Sequence, residues 1–201
     1  MHTVIKMAKK NKEKIESNRN KEKRTIVEAL DIPEGVTVSV SRESMTVKGK
    51  LGEIKKQMHN PKVRITVEGN EVRFTAKDAT RKEKMIIGTF MSHTKGLFKG
   101  TTEGVAYKLK ICSGHFPMNV SISGKNFTVK NFLGEKVPRV LEIREGVKVK
   151  IEGDIIDVGG IDKGLVSQTA ASIEMLTRRV GFDRRRFQDG IYITDKDGKK
   201  P

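Results

Sequence analysis

The sequence predicts an α+β fold built from two tandem repeated domains, each an antiparallel sheet packed against a helix. Three observations predict it. A sixteen-residue segment occurs twice, short runs of apolar residues alternate with polar ones, and two longer segments carry an apolar stripe at helical spacing.

The duplication is the firmest of the three. VSVSRESMTVKGKLGE, from Val38, and VSISGKNFTVKNFLGE, from Val120, share nine of sixteen positions without a gap. Ordinary composition would produce about one identity. The likeness continues more weakly from VRITVEGNEVRF (Val63) to VKVKIEGDIIDV (Val147), with Glu-Gly at the same turn. Tandem self-similarity at this spacing points to a duplicated unit of about 80 residues, enough for a modest core.

Within the first copy, Val36, Val38 and Val40 alternate with polar residues. So do Met45 and Val47, then Val63, Ile65 and Val67, then Val72 and Phe74. Period two is the mark of half-buried strands, with turns expected at Arg42–Ser44 and Gly69-Asn70. A helix is predicted over about Thr80 to Lys99. Its apolar stripe is Ile86, Ile87, Phe90, Met91, Leu97 and Phe98, and Gly100 and Gly104 end it. Val105–Cys112 returns to strand. In the second copy a helix is predicted from about Asp162 to Val180. Its buried stripe is Leu165, Val166, Thr169, Ala170, Ile173, Leu176 and Val180, with Asp162 placed to cap it. The expected domains are a basic leader (1–24), a first repeat (25–113), a second repeat (114–195) and a basic tail (196–201).

The leader carries nine Lys/Arg against three Glu. Glu13 and Glu16 beside lysines at helical spacing fit a frayed helix. The scarcity of apolar residues equally fits a disordered arm. Met7 is a second plausible start.

Charge bounds the function. The formal net charge is +16 over 201 residues. A surplus of this size calls for a polyanionic partner, because each Lys or Arg placed on a phosphate releases condensed counterions. Aromatic residues make up only 5% and Trp is absent, which disfavours single-strand binding by stacked bases and favours folded RNA gripped by phosphates and shape. No long apolar run or basic amphipathic helix suggests a membrane partner. A single cysteine, Cys112, excludes an internal disulfide and a Cys-rich zinc site, and fits a reducing compartment.

Enzymatic readings find little support. There is no P-loop, GxGxxG or HExxH pattern. His2, His59, His93 and His115 lack metal-ligand spacing. Cys112 and His115 are close in sequence, but no third group orients them, and they read as a strand end and a turn. No catalytic residue, metal, cofactor or small-molecule substrate is expected.

Several strings together resemble one family. They are Ile32-Pro33 with Gly35-Val36 and Val47-Lys48-Gly49, then HFP (His115–Pro117), NFLGEK (Asn131–Lys136), GIDKGLVSQTAASI (Gly160–Ile173) and FQDGIYI (Phe187–Ile193). This set is similar to the universal large-subunit ribosomal protein family numbered six in bacteria and archaea and nine in eukaryotes. GIDKGLVSQTAASI is similar to the family's most widespread motif, and HFP, NFLGEK and FQDGIYI look like its archaeal and eukaryotic branch. The resemblance spans roughly residues 25 to 195. Lys50 departs from the family, which commonly has proline after Val-Lys-Gly. The resemblance implies two α+β domains with no activity of their own. It implies a cytoplasmic place in the large subunit, on large-subunit rRNA near the sarcin–ricin loop and the factor-binding side, among neighbouring ribosomal proteins. The second domain would make much of the RNA contact. A free RNA-binding module or assembly factor of the same fold is the alternative.

The residues themselves nominate the RNA contacts. Arg178, Arg179, Arg184, Arg185 and Arg186 place five guanidiniums within nine residues, and a guanidinium fork pairs two phosphate oxygens at once. Lys163 stands at the start of the second helix, and Gln168 could bond a ribose hydroxyl or a base edge. Lys196, Lys199 and Lys200 lie in the tail, and Lys130 and Lys136 flank a loop of the second repeat. Phe187 and Tyr192 read as packing anchors, with a stacked base on either as the alternative.

Overall fold

Residues 24–183 and 185–200 are described in a computed structural model of the chain. The leader expectation, apart from Arg24, and the roles expected of Arg184 lie outside the described residues.

The first copy runs β1 (Arg24–Asp31), β2 (Thr37–Val40), β3 (Ser44–Gly49), β4 (Gly52–Gln57), β5 (Val63–Glu68), β6 (Glu71–Ala79) and α1 (Arg81–Thr102). The second runs β7 (Val105–Cys112), β8 (Asn119–Ser123), β9 (Asn126–Lys130), β10 (Arg139–Glu142), β11 (Val147–Glu152), β12 (Ile155–Gly160), α2 (Lys163–Leu176) and β13 (Gly190–Lys196). The paired strands have antiparallel registers, and the fold is the expected tandem α+β.

The described residues cluster into two compact units. One holds residues 24–32 with Val38–Met45 and Lys56–Thr94; the other holds Pro33–Thr37, Thr46–Lys55 and the described residues from Lys95 onward. In the first, a sheet of order β1-β6-β5 buries Val63, Val72, Phe74 and Ala76. In the second, a sheet of order β11-β12-β7-β13 lies under α2, and a smaller sheet has order β10-β9-β8. Leu109, Phe127, Val129, Ile156, Val158, Val166, Ala170 and Ile173 form its fully buried centre. Alternation explains the sheet: Val105, Tyr107 and Leu109 turn inward, while Ala106, Lys108 and Lys110 turn out.

The two sheets follow one plan. The β5–β6 hairpin corresponds to the β11–β12 hairpin, and in each case a strand from earlier in the chain pairs the hairpin's second strand. That strand is β1 beside β6 and β7 beside β12. The sequence reading closes the first repeat with β7, ahead of a boundary near Cys112–Pro117; its hydrogen bonds run to β12 and β13.

Helix ends show two departures. Gly100 lies inside α1 and does not end it. It is buried, and glycine is needed there because a Cβ would collide with the Ile161 carbonyl oxygen. The true stop is Gly104, whose φ of +81° only glycine adopts freely; Glu103 and Gly104 both donate to the Lys99 carbonyl. At the other end, the Thr80 N–H and hydroxyl donate to the Glu83 carboxylate, a capping box. These bonds, with Lys62 3.2 Å away, lower the Glu83 pKa to about 2. The second helix stops at Leu176, and Val180, expected in its buried stripe, is 89% exposed. Thr177 ends α2 by turning its hydroxyl to the Glu174 carbonyl and accepting the Ile191 N–H at 2.9 Å.

Candidate nucleic-acid interface

The interface is organised by α2. Asp162 caps it as the sequence predicts, accepting the Gly164 N–H at 2.7 Å. That carboxylate occupies the place an anion would take at the helix start, so the backbone N–H groups there do not offer a phosphate site, and the Lys163 ammonium stands apart from them. Gly159-Gly160, at the end of β12, serves internal packing. A Cβ on Gly160 would stand 2.8 Å from Val166 Cγ2 and 2.9 Å from the Gly146 carbonyl.

Past the end of α2, Arg178, Arg179, Arg185 and Arg186 are all exposed. They are not equivalent. Arg185 leans on Asp183 at 3.5 Å with its side chain 94% exposed. Arg179 shares the Glu135 carboxylate at 3.7 Å and lies over the Phe182 ring, 4.4 Å from its centroid. Arg178 and Arg186 make no ion pair among the described residues. Three guanidiniums are therefore largely free for phosphate, and Arg179 is half committed.

Strand registers sort the remaining candidates. Ile191 accompanies the end of α2, while Lys196 pairs Tyr107 at the far end of β13, about 17 Å along the strand. Lys196 and Lys199 close a tight turn there, and the Asp197 N–H donates to Ala106. Asp197 also takes the Lys99 ammonium at 2.7 Å, which raises the Lys99 pKa. Lys163 belongs to this same end, because Gly160 pairs Val105 just before α2 begins. Lys163 and Arg178 are thus separated by the length of α2, about 21 Å. Gln168 is exposed but turned about 140° around the helix from Lys163. Lys130 and Lys136 are exposed at either end of the loop whose Leu133 lines a cavity with Arg178 and Arg179. The twelve nominated residues, Arg184 apart, form two clusters at opposite ends of the sheet, with Gln168 exposed on α2 between them.

Comparison with known proteins decides the family. The sequence profile described as ribosomal protein L6 matches residues 32–104 and again 116–190. The chain belongs to this family. It is 44% identical over 171 residues to the large ribosomal subunit protein uL6 of Methanosarcina mazei, covering 85% of this chain and 97% of that protein. It is 41% identical over 173 residues to the large ribosomal subunit protein uL6 of Aeropyrum pernix, covering 86% and 95%. The resemblance to the archaeal branch holds, and a ribosomal-protein family is a structural, non-enzymatic one. Among the described residues no group of His, Cys, Asp and Glu is arranged to hold a metal, and no helix is long and apolar enough to cross a membrane.

For an L6 family member, the outer sheet face adds cations that residue clustering in the sequence missed. Lys108 and Lys110 of β7 and Lys148 and Lys150 of β11 point away from α2. Asp157 of β12 faces both Lys108 and Lys150 across the strands. Alternation was the available signal: VAYKLKIC and VKVKIE put lysine at every second position. Arg139 was also missed, and its role is internal. It forms a two-pronged bond to Glu135 at 2.8 and 2.7 Å, donates to the Leu176 carbonyl at 2.6 Å, and lies 4.5 Å over Phe132. The pairing holds the Glu135 carboxyl below its usual range, with burial opposing.

Proposed function

We propose that this chain is a structural constituent of the large ribosomal subunit, in the cytoplasm, gripping folded large-subunit rRNA mainly through its second repeat. Its place would be near the sarcin–ricin loop on the factor-binding side, among neighbouring ribosomal proteins. The observation that carries the RNA contact is the group of largely unneutralised guanidiniums beyond α2. Arg178, Arg185 and Arg186, with Arg184 between them in sequence, would each meet phosphate. Arg179 would do so at the expense of its bond to Glu135. Lys130 and Lys136 would extend this cluster; Lys163, Lys196, Lys199 and Lys200 would hold a second phosphate run, and Gln168 a ribose hydroxyl. Such contacts position the protein without reading sequence.

The test is the salt dependence of rRNA affinity. Reversing charge at Arg184, Arg185 and Arg186 should weaken binding and flatten log K against log salt by about 0.9 per lost phosphate contact on duplex RNA, taking the duplex DNA coefficient. An unchanged slope removes this site. Sedimentation tests the assignment: the chain should travel with mature large subunits and translating ribosomes, and confinement to immature particles would favour an assembly factor.

A further inference from the structure

The end of α2 holds more than cations. A cavity of about 160 Å³ opens where the 131–135 loop, the helix end and the returning segment before β13 meet. Its base is apolar, with Phe132 and Ile191 buried. Phe182 and Phe187, 39% and 41% exposed, stand at its wall with rings edge to face at 4.9 Å. The chain has only eight Phe and two Tyr, and Phe132, Phe182, Phe187 and Tyr192 all line this one cleft. Phe187 and Tyr192 are more than packing anchors here.

The charges argue against phosphate. Glu174 and Asp189 line the cleft together with Arg178 and Arg179, so the carboxylates offset the guanidiniums. A flat, neutral solute with amine donors on its edge fits better. One oxygen of each carboxylate is engaged: Asp189 Oδ1 accepts the Gly114 N–H, and Glu174 Oε1 accepts the Ile193 N–H at 3.5 Å. Among the described residues the second oxygen of each has no donor. The volume is far below the roughly 300–1,000 Å³ of drug-sized sites, which suits one ring with its sugar and phosphate left outside.

We propose that this cleft receives a single base of the bound RNA, drawn out of its stack, against the Phe182 and Phe187 rings, with an exocyclic amine donated to Glu174 or Asp189. The proposal rests on the rRNA-binding reading above. It selects adenine, cytosine or guanine over uracil, which has no amine to offer. The surrounding phosphates stay with the guanidiniums at the rim, so one surface binds backbone and base by different means.

The test titrates the full chain and its Phe182→Ala and Phe187→Ala variants against the rRNA fragment that the wild-type protein protects. Each variant should lose about tenfold in affinity, the order expected for one stacked base, with the salt slope unchanged. Abasic nucleotides are then scanned through the fragment. One position should cost the wild type about tenfold and cost Phe187→Ala nothing further, and uracil there should cost part of that. Phe187→Leu, which keeps an apolar side chain, serves in the same cycle if the alanine variant lowers the melting temperature. Abasic penalties equal in wild type and variant at every position overturn the proposal. So does normal RNA affinity with failed recruitment of a neighbouring protein, which would assign the cleft to a protein side chain. Failure of the wild type to bind the fragment in a salt-dependent way would instead remove the rRNA reading.

Discussion

The segments Lys48–Glu53 and Lys130–Glu135 read KGKLGE and KNFLGE, aligned without a gap, yet they fold differently. In the first, β3 and β4 are joined by the two residues Lys50 and Leu51. In the second, β9 ends at Lys130 and β10 starts only at Arg139, with a 3-10 turn at Phe132–Gly134 between them. Lys50 aligns with Phe132. A lysine is content on an exposed hairpin tip, whereas the Phe132 ring is only 1% exposed, so the backbone curls to bring it inside. Asn131 and Leu133 take left-handed φ values of 59° and 49° to allow this, and the Asn131 amide donates to the Pro117 carbonyl at 3.0 Å. One apolar side chain thus turns a hairpin into a loop, and that loop forms one side of the cleft at the end of α2. The duplicated scaffold is shared; the cleft and the guanidiniums around it belong to the second copy.

The sharpest way to break this comparison is to move the charge. Reversing Arg178, Arg185 and Arg186 should cost roughly 100-fold in rRNA affinity at moderate salt. Reversing Arg81, Lys82 and Lys84, exposed in the first turn of α1, should cost less than about tenfold in the same titration. Acidic residues there suit the helix dipole, so folding is spared. Equal losses would mean that the two copies share the RNA.

Packing comes next. Gly159-Gly160 of β12 align with Thr75-Ala76 of β6, where Ala76 is fully buried. Gly160→Ala should destabilise the protein by about 2–3 kcal/mol, because Val166 and the Gly146 carbonyl leave no room. Ala76→Gly should cost only about 1 kcal/mol. Thermal unfolding of both variants checks the difference, and similar shifts would show that the glycine is not spent on packing.

Arg139→Leu should cost about 2 kcal/mol by removing the bonds to Glu135 and the Leu176 carbonyl. A domain of about 80 residues would then melt roughly 8–16 °C lower. Gln57, at the end of β4 in the first copy, is exposed, so Gln57→Leu should leave the melting temperature almost unchanged.

The smallest effects lie at the helix starts. Thr80→Ala and Asp162→Ala should each cost about 1 kcal/mol in urea unfolding. At α1 a pH signature should accompany the loss. Glu83 has a folded pKa of about 2, below its ordinary value, so its contribution is complete above about pH 4.5 and fades as pH falls toward 2. The stability gap between wild type and Glu83→Gln should therefore close across that interval, and a gap that ignores pH would contradict the assignment.

Much of the architecture could be read before any coordinates. Period-two alternation specified strands such as β7 and β11, since one face of a sheet must be apolar. The helical stripe placed Val166, Ala170 and Ile173 inside. Self-similarity revealed two copies, and charge density marked Arg178–Arg186. These features are local, and local chemistry carries them. Strand β1 escaped notice because Val27, Glu28 and Ala29 are all exposed and leave no alternation to detect. Other features depended on contacts between residues far apart in the chain. The pairing of β7 with β12 and β13, the inward turn of Phe132 and the stop at Thr177 all follow from partners 14 to 89 residues away. A cleft between a loop, a helix end and a returning strand exists only once burial has drawn those three segments together. Residue types announce what each segment prefers; the shared core decides which neighbours it receives.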